Sequence, residues 1–105
     1  MSKVQAILDQ IVLRLHSIQE VERVVLFGSR ARGDAEERSD IDIAIDAPNA
    51  SQRLWSDILE VVEESNTLLS FDIIRYDDAS DNLRTAIETE GISLYERYKE
   101  SAKSA

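Results

Sequence analysis

Residues 26–46 read LFGSRARGDAEERSDIDIAID, and they decide what kind of sheet this chain can build. The stretch opens on the end of an apolar strand and turns at Gly28-Ser29. Ten polar and small residues then separate Ser29 from Asp40. The strand that follows alternates strictly. Ile41, Ile43 and Ile45 point one way, while Asp40, Asp42, Ala44 and Asp46 point the other. Aspartate is a poor strand former, and carboxylates two residues apart on one face repel each other. A divalent cation would offset that repulsion. Mg²⁺ takes oxygen ligands in near-octahedral geometry and typically uses one or two carboxylates plus the phosphates of a nucleotide.

An isolated D-x-D in an acidic protein reads as an edge strand with one wet face. The Gly-Ser turn ten residues upstream changes that reading. Gly28 can adopt backbone angles closed to other residues, so the chain can turn sharply and bring amide groups close to an anion. Ser29 adds a hydroxyl, and Arg30 and Arg32 add positive charge beside it. A phosphate cradle and a metal-binding carboxylate pair, joined by one short loop, make a nucleoside triphosphate site.

The spacing from Gly28-Ser29 to Asp40-x-Asp42 resembles the signature of the DNA polymerase beta-like nucleotidyltransferase superfamily. The fuller strings, residues 28–34 (GSRARGD) and 39–43 (SDIDI), look most like its smallest members. Those are the minimal nucleotidyltransferases, often antitoxins encoded beside a small helical HEPN-domain toxin. No P-loop or Rossmann glycine pattern competes with this motif.

Composition sets the outer bounds. The 105 residues suit one domain, here the whole of 1–105. A hydrophobic content of 43% and a charged content of 31% describe an ordinary globular protein. No apolar run approaches a membrane span, and residues 1–10 lack the apolar region of a signal peptide. With no cysteine, disulfides and thiolate metal sites are excluded, and a cytoplasmic location is the expectation. The net charge of −9 opposes nonspecific binding to nucleic acid, which needs a basic surface. Direct nucleic-acid partners are therefore not expected, and a basic protein partner suits the charge better.

Along the chain, residues 2–18 read as an amphipathic helix with Val4, Ile7, Leu8, Ile11, Leu15 and Ile18 on one stripe. His16, the one histidine, falls off that stripe and reads as a surface residue. Residues 21–27 suit a strand buried on both faces. Residues 30–39 form a short helical turn and a charged loop, in which Asp34, Glu36 and Glu37 are solvated. Asn49 or Ser51 can cap a helix that runs through Glu64, burying Leu54, Ile58, Val61 and Val62, with Trp55 and Leu59 at its edge. Residues 68–76 form a third strand, with Leu69, Phe71 and Ile73 on one face and Ser70, Asp72 and Ile74 on the other.

Asp72 is thus a lone acid within an apolar strand. Burial would leave its carboxylate in need of a cation or a proton. A third strand placed beside the Asp40–Asp42 strand would carry Asp72 to the same metal site, an arrangement that also resembles the superfamily. Residues 80–90 read as a last helix closed by Gly91, residues 92–95 as a short strand or a segment packed on the core, and residues 99–105 as a fraying tail. The fold expected is α/β, nucleotidyltransferase-like: a small mixed sheet flanked by helices.

The chemistry expected is Mg²⁺-dependent nucleotidyl transfer. Asp40, Asp42 and Asp72 are the expected catalytic and metal-binding residues, holding two ions, with Asp72 also the general base. Gly28 and Ser29 would hold the β- and γ-phosphates of ATP, and Arg30 would stabilise the leaving group. Only 33 residues follow Asp72, which leaves little for an acceptor pocket, so an oligomer or a hetero-complex is expected. The resemblance implies the acceptor: a hydroxyl, in the leading reading a tyrosine, of a cognate HEPN toxin that receives AMP from ATP, as in a type VII-like antitoxin. Two other readings stand beside it. One is a transferase for a small hydroxylated metabolite or antibiotic, completed by oligomerisation. The other is a non-catalytic module that neutralises a toxin by binding alone.

Overall fold

The computed structural model describes residues 3–36, 39–65 and 69–97. The fraying tail expected at 99–105 lies outside them. Helix α1 (Lys3–His16) is followed by strand β1 (Arg23–Phe27), a single helical turn α2 (Ser29–Arg32) and strand β2 (Ile41–Asp46). Helix α3 (Gln52–Glu63), strand β3 (Phe71–Arg75), a 3-10 turn over Tyr76–Asp78, helix α4 (Asp81–Glu90) and strand β4 (Ile92–Glu96) complete the order.

The four strands form one sheet in the order β3-β2-β1-β4. β1 runs antiparallel to β2 and to β4, while β2 and β3 are parallel. The sheet is mixed, as expected. The parallel pair has a direct consequence: the first residues of β2 and β3 lie at the same end of the sheet as the last residues of β1.

Period-2 alternation divides the side chains between two layers. Ile41, Ile43 and Ile45, all fully buried, join Val24 and Leu26 beneath α1 and α3. Leu8, Ile11 and Leu15 supply the α1 side of that core, and Ile58 and Val62 the α3 side. On the opposite face, Val25 and Ala44 pack against Ile87 of α4, with Phe27, Ile74, Tyr76 and Leu83 around them. A single ten-residue helix covers this second face.

The boundaries are narrower than the hydrophobic pattern suggests. α1 ends at His16, and the Arg97 guanidinium gathers the chain that leaves it, donating to the carbonyls of His16 (3.0 Å), Ile18 (3.1 Å) and Val21 (3.0 Å). Ser51, rather than Asn49, caps α3 through its hydroxyl and the Leu54 amide. Arg75 closes β3 by donating to the carbonyls of Ala47 and Ala50 while lying over Trp55.

Gly91 does end α4, but for a reason other than left-handed geometry. Its φ of −71° and ψ of 153° are open to any residue. A Cβ at this position would instead run into the Ile87 carbonyl and the Val25 side chain. Gly91→Ala should therefore destabilise the fold by about 1–3 kcal/mol through overpacking, measured as a lowered denaturation midpoint with an unchanged slope.

Candidate active site

Gly28 follows directly on β1 and precedes the first residue of α2, at φ 73° and ψ −156°. Only glycine visits this region without strain. A second constraint acts on the same atom position. A Cβ on Gly28 would overlap the Asp42 carboxylate, because Asp42 is the cross-strand neighbour of Phe27 and its side chain rises directly beside the turn. The glycine and the aspartate of the motif are therefore in contact, and each limits what the other can be.

Ser29 opens α2, and its carbonyl accepts from the amides of Gly33 (3.0 Å) and Asp34 (3.1 Å). Gly33 terminates the turn in the left-handed conformation, at φ 84°. Ala31 is tucked against the main core, which seats the turn on the end of the sheet.

The carboxylates come from three backbone positions. Asp42 is the second residue of β2 and Asp72 the second residue of β3, and they are direct partners in the parallel ladder. Their side chains share the face that carries Ala44 and Ile74. Asp40 lies one residue before β2. The Asp42 carboxyl is held above the ordinary aspartate range, first by partial burial, then by the charges of Asp72 and Asp40, with Arg32 opposing. Negative charge is thus concentrated here beyond what the neighbouring arginine neutralises.

One expectation needs correction. Asp72 is exposed rather than buried, because β3 is an edge strand and α4 leaves this end of the face uncovered. It stands opposite Asp42 in the parallel ladder. In addition, no group of three His, Cys, Asp or Glu side chains among the described residues is gathered closely enough to hold a metal ion. The donor chemistry still suits Mg²⁺: hard carboxylate oxygens with uncompensated charge.

The arginines also divide differently from the sequence reading. The Arg30 guanidinium donates twice to the Ser39 carbonyl, at 3.1 Å from Nε and 2.7 Å from an Nη. Arg32 is the arginine whose charge is felt at Asp42. It is half-exposed and held by Asp34 at 3.3 Å and Glu90 at 3.5 Å. Sequence spacing placed both arginines near the turn, but their partners lie across the loop and on α4.

Two outcomes follow from this geometry. Gly28→Ala should lose about 1–3 kcal/mol of stability from the strained φ and displace Asp42, read as a lowered denaturation midpoint. Asp42→Asn should do the reverse to metal-free stability. A carboxyl whose folded pKa is raised destabilises the native state above that pKa, and the penalty vanishes in acid below the unfolded value. Thermal melts should show Asp42→Asn more stable than wild type at neutral pH, with the gap closing as the pH falls.

A family model described as polymerase beta, nucleotidyltransferase, matches residues 9–100. A curated protein of Methanocaldococcus jannaschii, named "putative protein adenylyltransferase", is 32% identical over 73 residues, covering 70% of this chain and 73% of that protein. Among solved structures, a toxin-antitoxin complex with AMP-PNP contains a similar chain, with a TM-score of 0.68 at 23% identity, covering 89% of this chain and 76% of that one. A complex of a tri-AMPylated Shewanella oneidensis HEPN toxin with an MNT antitoxin gives a TM-score of 0.61 at 20% identity, covering 93% and 77%. At these identities the two structures speak to the fold alone. The match over 9–100, together with the glycine turn and the carboxylate-bearing strands, places this chain in the polymerase beta-type nucleotidyltransferase family.

Proposed function

We propose that this protein transfers AMP from ATP to a hydroxyl, in particular a tyrosine hydroxyl, of a HEPN-domain toxin and so acts as its antitoxin. The observation that carries the reading is the contact of Gly28 with Asp42, beside Asp72 in the neighbouring strand. That geometry brings a phosphate-binding turn against acidic groups that face solvent. The names borne by the similar proteins, an adenylyltransferase and the antitoxin of an AMPylated toxin, support the acceptor class.

In this mechanism the acceptor oxygen attacks the α-phosphorus of ATP, the bond from that phosphorus to the bridging oxygen breaks, and pyrophosphate leaves. Asp72 accepts the hydroxyl proton, since it is exposed at the sheet edge where a macromolecule can reach it. Ser29 and the backbone of the Gly28 turn hold the β- and γ-phosphates, and Arg32 contributes positive charge beside them. Asp40 and Asp42, with Asp72, would hold Mg²⁺, which supplies charge neutralisation to the triphosphate when bound. The exposed carboxylate end suits a protein acceptor that brings its own walls.

The test is incubation with labelled ATP, Mg²⁺ and the protein encoded next to this one, followed by mass spectrometry of each component. Added AMP on a hydroxyl of the neighbour is the expected result, with none for Asp40→Asn. Asp72→Asn should slow transfer by about 10²–10⁴-fold, as general-base loss does, with ATP affinity changed much less. Label on a small hydroxylated compound would redirect the acceptor. Neutralisation of the neighbour without any label would leave binding alone as the mechanism.

A further inference from the structure

We propose that Arg30 is a positioning residue that fixes Asp40 through the carbonyl of Ser39. This assignment rests on the nucleotidyl-transfer reading of the same site and deepens it. The three carboxylates are not equally secured. Asp42 is held by pairing with β1 on one side and β3 on the other, and by its fit against Gly28. Asp72 is held by its ladder to β2. Asp40 precedes β2, is exposed, and has none of these supports.

What stands immediately before it is Ser39, and Ser39 is pinned from two directions. Its amide donates to the Glu36 carbonyl at 3.0 Å, and its hydroxyl accepts from the Glu36 amide at 2.9 Å. Its carbonyl accepts two N–H groups of the half-buried Arg30. Immediately after Asp40, the Ile41 amide donates to the Ser70 carbonyl at 2.9 Å. Asp40 is therefore suspended between two anchors, one on α2 and one at Ser70, immediately before β3.

The Arg30 anchor has a particular value because Arg30 follows Ser29 directly. It ties the backbone next to Asp40 to the backbone next to the phosphate-binding turn directly. Two N–H groups converging on one carbonyl define a direction as well as a distance, which a lysine ammonium cannot reproduce. The sequence reading of Arg30 as a phosphate ligand predicts a different pattern, in which positive charge alone matters.

Arg30→Lys and Arg30→Ala separate the two roles. Both should shift the ¹³C resonance of the Ser39 carbonyl, a readout independent of activity, while resonances of Ile43 and Ile73 in the ladder stay in place. Both should lower kcat for transfer on the order of 10–100-fold, the scale expected for displacing a reacting group, with the KM for ATP changed little. Thermal melts of both variants distinguish misfolding from misplacement. Wild-type kcat in Arg30→Lys with a raised KM in Arg30→Ala would overturn the proposal in favour of a phosphate contact. An unmoved Ser39 carbonyl in both folded variants would overturn it as well. If wild type labels no acceptor, the transfer reading fails on its own, and the carbonyl resonance still decides whether Arg30 holds Ser39.

Discussion

The close approach of Gly28 to the Asp42 carboxylate is the constraint on which the rest of this molecule depends. The turn after β1 and the second residue of β2 occupy adjoining space, so neither can move without the other. That approach requires β1 and β2 to be antiparallel neighbours in a single register, with Phe27 opposite Asp42. The register in turn requires Ile41, Ile43 and Ile45 to be the buried set, since a one-residue slip would turn the carboxylates into the core. The hydrophobic effect therefore aligns the site indirectly: three fully buried isoleucines hold the aspartates of the same strand on the opposite face.

Most of this was legible in residues 26–46. Period-2 alternation assigned the faces of β2 and β3 correctly, and the stripe of Leu8, Ile11 and Leu15 gave the buried face of α1. The exposure of Asp72 was not legible, because it depends on β3 being an edge strand and on how little of the sheet α4 covers. Sheet order follows from long-range pairing, which no local pattern encodes. The partners of Arg30 and Arg97 were hidden for a similar reason. A guanidinium that donates to backbone carbonyls leaves no complementary residue type in the sequence to announce it.

Those arginines also qualify how the net charge of −9 should be understood. Arg30, Arg75, Arg84 and Arg97 all donate to main-chain carbonyls at the ends of strands and helices. Arg14, Arg23 and Arg32 are paired with carboxylates on other elements or across a turn. Much of the positive charge is thus engaged in joining elements of the fold. Tyr76 lies between Arg23 at 4.7 Å and Arg84 at 5.3 Å, so even the cationic faces are partly covered by an aromatic ring.

This bears on how an acidic site can accept a triphosphate at all. In the proposed reaction, Asp40, Asp42 and Asp72 add negative charge where a triphosphate would bring more, and Arg32 offsets only part of it at Asp42. The fold does not relieve the conflict by burying or pairing the carboxylates. It keeps them at an uncovered end of the sheet, half-solvated, where water lowers the repulsion between them in the absence of ligand. A cation entering with the nucleotide would then find the Asp42 and Asp72 carboxylates on paired positions of β2 and β3. The same openness leaves the acceptor side unwalled. In the reaction proposed above, the acceptor would bring its own surface to exclude water from the reacting groups, a need that a folded protein meets better than a small molecule does.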